Sequence, residues 1–201
     1  MDTLIEQFWV AGLIQFGRFE DVPFKIQFEL LPSYPDIWSN LLDRLIKLVD
    51  IARYERLLAP ADSLPLGTIL SYSANIPLVY SKGTGRDGVY DLLGAYDVGH
   101  PALFVSNVWA GTEKTYPALI QKAERVGLEL DKALVIMTYG EIHPSDIPIH
   151  SLFRFEDVVM ALHDAQKLPT GQVDAVLEWI TQNNHQSADS QLSPRSSTIT
   201  P

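Results

Sequence analysis

The first apolar positions of the chain, Leu4, Ile5, Phe8, Trp9, Leu13 and Ile14, recur at helical spacing, and Gly12 and Gly17 bring that helix to a close. Phe16 to Glu20 and Phe24 to Leu30 then alternate as two short strands joined by Glu-Asp-Val-Pro. Pro35 opens a second helix whose apolar stripe runs through Ile37, Trp38, Leu41, Leu42, Leu45, Ile46 and Val49. From Arg56 the pattern changes. Short apolar runs at Leu57–Ala59, Pro77–Tyr80, Ala102–Val105 and Ala133–Met137 alternate with helices near Pro65–Asn75 and Glu113–Val126. Strands alternating with helices of this length predict an α/β fold, a parallel sheet covered on both faces. Two further helices are expected over Phe155–Gln166 and Gly171–Ile180. Beyond Ile180 the chain turns to Gln, Asn, Ser, Thr and Pro with almost nothing to bury, so one domain is expected over residues 1–180 and a disordered tail over 181–201.

With 201 residues, 46% of them hydrophobic, the chain can bury one substantial core. The net charge of -10 argues against nucleic acid or an anionic membrane as a partner. No cysteine is present, which excludes a disulfide framework, a thiolate nucleophile and a zinc-thiolate site and fits a reducing cytoplasm. Acids near the start stand where a secretory signal would need a basic flank, and no apolar run approaches the roughly 20 residues that span a bilayer, so a soluble cytoplasmic protein is expected.

Candidate chemistry concentrates in two stretches. Ala102 to Thr112 reads as an apolar strand running into small residues and then a helix, the arrangement in which backbone N–H groups hold a phosphate. Gly111, Thr112 and Thr115 would supply those donors, with Asn107 able to hydrogen-bond a sugar hydroxyl; the alternative is that Thr112 simply caps the helix with Glu113 in its first turn. The second stretch, Ser81 to Asp91, has three glycines in six residues and carries Lys82, Arg86 and Asp87. It reads as a mobile loop, with either a phosphate-neutralising role or that of a solvated hairpin tip. His143, His150 and His163 are not at metal-ligand spacing, so no metal site is assigned. Ser63 lacks the Gly-x-Ser-x-Gly elbow of a hydrolase. The Trp38 helix face is expected in the core or at a dimer surface, with Phe8, Trp9 and Trp38 as an alternative docking patch.

Six segments in collinear order over residues 4–160 carry a family resemblance: Gly12-Leu-Ile-Gln-Phe-Gly-Arg-Phe19, Ser33-Tyr-Pro-Asp-Ile37, Ala59-Pro-Ala-Asp-Ser-Leu-Pro-Leu66, Asn75-Ile-Pro-Leu-Val-Tyr80, Gly83-Thr-Gly-Arg-Asp-Gly88 through Gly99, and Ile147-Pro-Ile-His-Ser-Leu-Phe153. In these the chain resembles the orotate phosphoribosyltransferases. The resemblance implies a type I phosphoribosyltransferase fold, a central parallel sheet flanked by helices with an N-terminal hood, and a homodimer whose catalytic loop reaches the neighbour's site. It also implies phosphoribosyl pyrophosphate (PRPP) with Mg²⁺ as cosubstrate if the protein is active. By the same resemblance Lys82, Arg86 and Asp87 take the catalytic-loop positions. Asp62 and Ser63 fall in the pyrophosphate loop, and Asn107, Gly111, Thr112 and Thr115 at the ribose-phosphate site.

The departures from the family fall on charge. Ser106 and Asn107 stand where it has two acids that hold the ribose hydroxyls, Arg86 replaces a lysine with the spacing altered by about one residue, and Gln15 replaces another lysine. Val135-Ile-Met-Thr-Tyr-Gly140 replaces a strand end in Asp-Arg, whose arginine grips the pyrimidine carboxylate. The expected function is therefore a non-catalytic binding or interaction module, with a phosphorylated small molecule or nucleotide as ligand. The alternatives are an active enzyme transferring phosphoribosyl from PRPP to orotate or another base, and a structural partner subunit of such an enzyme.

Overall fold

The computed structural model describes residues 1–82, 91–113, 115–142 and 147–189. Its centre is a six-stranded sheet of β3 (Arg56–Ala59), β4 (Leu78–Lys82), β5 (Asp91–Leu93), β6 (Pro101–Ala110), β7 (Glu129–Tyr139) and β8 (Ile149–Arg154), in the order β5-β4-β3-β6-β7-β8. All neighbours run parallel except the edge strand β5, which is antiparallel to β4. A separate antiparallel hairpin, β1 (Ile14–Phe19) and β2 (Val22–Ile26), precedes it.

Burial alternates across the sheet as the period of two requires. Leu57, Leu103, Val105, Leu134 and Ile136 join a large cluster with α1 (Thr3–Val10), α2 (Pro35–Leu45), α5 (Phe155–Asp164) and α6 (Thr170–Asp189), to which α3 (Leu64–Ala74) contributes Leu66 and Leu70. Leu58, Phe104, Ala133 and Val135 face the opposite way and meet Tyr116, Leu119, Ile120 and Ala123 of α4 (Thr115–Arg125). Because β6 and β7 are covered on both faces, most of their residues are buried.

Several elements depart from the sequence expectation, each for a local reason. The first helix stops at Val10, since Gly12 adopts a left-handed φ of +68°, and Ile14 starts a strand. Phe28–Ser33 forms 3-10 turns where a strand was expected, and β8 is a strand that periodicity did not predict. The last helix continues past Ile180 to Asp189; residues 190–201 lie outside the described part. Phe8 and Trp38 are buried in the core, so they form no exposed docking patch. Two ends are locally well defined. Asp2 caps α1 through Leu4 N–H at 2.8 Å and receives Arg44 Nη1 of α2 at 2.7 Å, while Asn75 ends α3 in the left-handed conformation. Among the described residues no helix is long and apolar enough to cross a membrane.

Phe155 joins hairpin to sheet. Fully buried at the start of α5, it stacks on Phe16 at 5.9 Å and packs against Phe24 at 4.6 Å. Phe155→Ala is expected to cost about 3–5 kcal/mol, measured as a lower urea midpoint at unchanged slope.

Candidate functional site

In an open α/β sheet, ligands bind beyond the carboxyl ends of the strands where the strand order reverses. Here the chain leaves β3 for β4 on one side and later returns to place β6 on the other, so the reversal lies between β3 and β6. At that point four polar groups from distant segments close on one another. Asn107 N–H of β6 donates to Ser63 Oγ at 2.9 Å, and Asn107 Nδ2 donates to the Asp62 carbonyl at 3.0 Å. Ser63 Oγ donates to Asp62 Oδ1 at 2.9 Å, and Tyr116 Oη donates to Asp62 Oδ2 at 3.1 Å. Beside them Ala61 N–H donates to Ser81 Oγ at 3.0 Å. The loop after β3 is thus tied to β6 and α4 by its own side chains.

The segment after Val105 is not a loop. β6 continues through Ser106 and Asn107 to Ala110, paired with β7 as far as Ala110 opposite Tyr139. Ser106 is fully buried, and its Oγ, like Asn107 Oδ1, has no hydrogen-bond partner among the described residues. Trp109 is also buried, edge-on to Phe104 at 5.6 Å and to Tyr116 at 5.3 Å, so its indole belongs to the core. Gly111 donates its N–H to the Tyr139 carbonyl at 2.8 Å, and a Cβ there would collide with the backbone of Glu141. Thr112 lies in the turn that follows. The start of α4 is capped by Glu113, whose Oε1 accepts from Thr115 N–H at 2.5 Å and from Tyr116 N–H at 3.3 Å. A carboxylate of the chain itself therefore sits where helix N–H groups would hold an anion.

The other sequence-predicted residues are dispersed. Lys82 is exposed at the end of β4, opposite Asp91 of β5; Arg86 and Asp87 lie outside the described residues. Gln15 donates to the Gly12 carbonyl at 3.0 Å. Where the family resemblance places an arginine, Gly140 N–H donates to Glu156 Oε1 at 2.8 Å. His163 Nδ1 pairs with the Leu168 carbonyl at 2.8 Å in a structural contact, while His143 lies outside the described residues. At the ribose position no acid is present to meet a magnesium-bound PRPP. Ser106 and Asn107 are neutral and buried, and Asn107 spends its amide on Asp62.

Sequence reasoning missed the cleft that the hairpin makes over the sheet. Its volume is about 710 Å³, and its lining includes Phe19, Glu20, Phe24 and Lys25 from the hairpin side and Glu113, Tyr116 and Tyr139 from the sheet and α4. Lys82 is not among the lining residues. Tyr116 is held well above the ordinary tyrosine range, first by burial and then by the Asp62 charge. Tyr139 is raised by burial and by the charge of Glu113. Both hydroxyls stay protonated in the fold and contribute stability that is complete below about pH 10 and lost as pH rises beyond it. Tyr116→Phe should leave unchanged the tyrosinate absorbance gained by the folded protein between about pH 9 and about pH 11, and lower it by one tyrosine in urea.

No protein-family model matches the chain. Solved structures with the same fold do. UMP synthase of Leishmania donovani superposes with a TM-score of 0.75 at 18% identity over 90% of this chain, which spans 42% of the length of that protein. Orotate phosphoribosyltransferase from Aeropyrum pernix matches with a TM-score of 0.67 at 19% identity, over 80% of this chain and 98% of that one. The Francisella tularensis orotate phosphoribosyltransferase gives 0.62 at 18% identity, over 90% and 98%. Strand order, N-terminal hairpin and these superpositions agree that the chain has the type I phosphoribosyltransferase fold.

Proposed function

We propose that this protein is a phosphoribosyltransferase-like binding or interaction module that does not transfer a phosphoribosyl group. The observation that carries this reading is the Glu113 carboxylate on the first N–H groups of α4, because a ligand phosphate seeking the same donors must displace it. Charge in the cleft points the same way. Among the described residues its lining contributes Glu20 and Glu113 against the ammonium of Lys25, a poor match for a polyanion such as PRPP. With Ser106 and Asn107 neutral and no arginine at Tyr139-Gly140, several charge-assisted contacts worth about 1.5–3 kcal/mol each are absent. Since about 1.4 kcal/mol is tenfold in rate, their combined loss amounts to several powers of ten.

A cytoplasmic homodimer is proposed as the working form, supported by the lack of cysteine and by the family resemblance. A phosphorylated ligand, if taken, would reach the cleft against the Glu113 charge and so bind weakly.

The expected result with purified protein, orotate, PRPP and Mg²⁺ is no measurable orotidine monophosphate by absorbance or chromatography. Turnover within tenfold of the usual enzymatic range of about 1–1,000 s⁻¹ would restore the reading of an active transferase.

A further inference from the structure

We infer that the cleft under the N-terminal hairpin binds a small planar cation, an amidinium or a protonated heterocyclic amine, held between its aromatic side chains and the Glu113 carboxylate. The inference rests on the reading of this site as a binding pocket and names the class of ligand it takes.

Size comes first. A volume of about 710 Å³ lies within the range of about 300–1,000 Å³ typical of small-molecule sites. The walls are aromatic: Phe19 and Phe24 on the hairpin, Tyr139 at the end of β7 and Tyr116 on α4. Three of these rings are held by aromatic neighbours. Phe24 lies edge-on to Tyr139 at 5.5 Å and to Trp179 at 5.3 Å, and Tyr116 packs on Phe104 at 5.3 Å. Ring faces are electronegative, so walls of this kind favour a flat cation over a flat anion.

Charge adds direction. Glu113 is held by two backbone N–H groups through Oε1, which fixes its carboxylate beside the cavity without neutralising it. Its influence reaches Tyr139, whose hydroxyl it helps to keep protonated. Glu20 adds a second carboxylate at the hairpin turn; like Lys25, the opposing cation among the described lining residues, it is exposed to solvent, where charge is screened. A carboxylate-bearing ligand would meet the like charge of Glu113 here. An amidinium would meet an opposite charge held in place, with N–H groups to donate to the carboxylate.

The test uses two probes with the same ring and opposite charge, benzamidine and benzoate, titrated calorimetrically into the wild-type protein. Benzamidine is expected to bind at least tenfold more tightly than benzoate. Glu113→Gln keeps a carbonyl oxygen to accept from Thr115 N–H while removing the charge. It should weaken benzamidine about tenfold or more. Equal or tighter binding of benzoate, no benzamidine binding at millimolar concentration, or benzamidine affinity unmoved in a folded E113Q protein would each overturn the inference. The wild-type comparison decides even if E113Q fails to fold. Formation of orotidine monophosphate would refute the non-catalytic reading separately, whereas failed benzamidine selectivity refutes only the ligand class.

Discussion

The parallel pairing of β6 with β7, carried as far as Ala110 opposite Tyr139, is the constraint from which the cleft takes its form. Each additional pair commits another residue to backbone hydrogen bonds in the sheet and another side chain to one of its two faces. Ser106 and Asn107 are thereby fixed within a strand, Trp109 is turned into the core, and Gly111 is drawn onto the backbone of Glu141. Only after this does the chain turn into α4, and Glu113 is the residue left at the helix start to satisfy its first N–H groups.

Fold and chemistry separate cleanly in this molecule. The strand order, the reversal between β3 and β6 and the hairpin above it reproduce a scaffold used by phosphoribosyltransferases, yet a scaffold supplies position and not charge. At the reversal, the Asp62, Ser63 and Tyr116 side chains bond one another, and Asn107 joins them through its backbone N–H to Ser63 and its Nδ2 to the Asp62 carbonyl. Such a network is stable because no strong donor or acceptor in it is left seeking an outside partner, apart from Asn107 Oδ1. What remains open is the aromatic cleft beside it, with its acidic rim.

Much of the fold was legible in the sequence, and the reasons differ by element. Periodicity located α2, α3 and α5 because each buries one continuous stripe, as Ile37, Trp38, Leu41, Leu42 and Leu45 do. The end of β6 was not legible. Ser-Asn-Val-Trp-Ala reads as a loop followed by a helix start, and only neighbouring strands and α4 bury it. β8 escaped because its residues are mostly half-buried, so no alternation marks it. At the site, a helix cap at this turn was open from sequence, but as Thr112 with Glu113 in the first turn; in the structure Glu113 itself takes the N–H groups. The bonds from Asn107 to Asp62 and Ser63 were not open from sequence, since they join positions 45 and 44 residues apart that only the sheet order brings together. The cleft itself depends on the hairpin folding over β6 and β7, which no local pattern encodes.

The claim that the anion site at α4 is closed by the protein's own carboxylate is tested most directly by calorimetric titration of PRPP into the purified chain, with and without Mg²⁺. The account predicts no saturable heat up to millimolar PRPP under either condition, because the donors at Thr115 and Tyr116 already hold Glu113 and the rim is acidic. Saturable, Mg²⁺-dependent binding with a Kd in the micromolar range, about -8 kcal/mol, would contradict it.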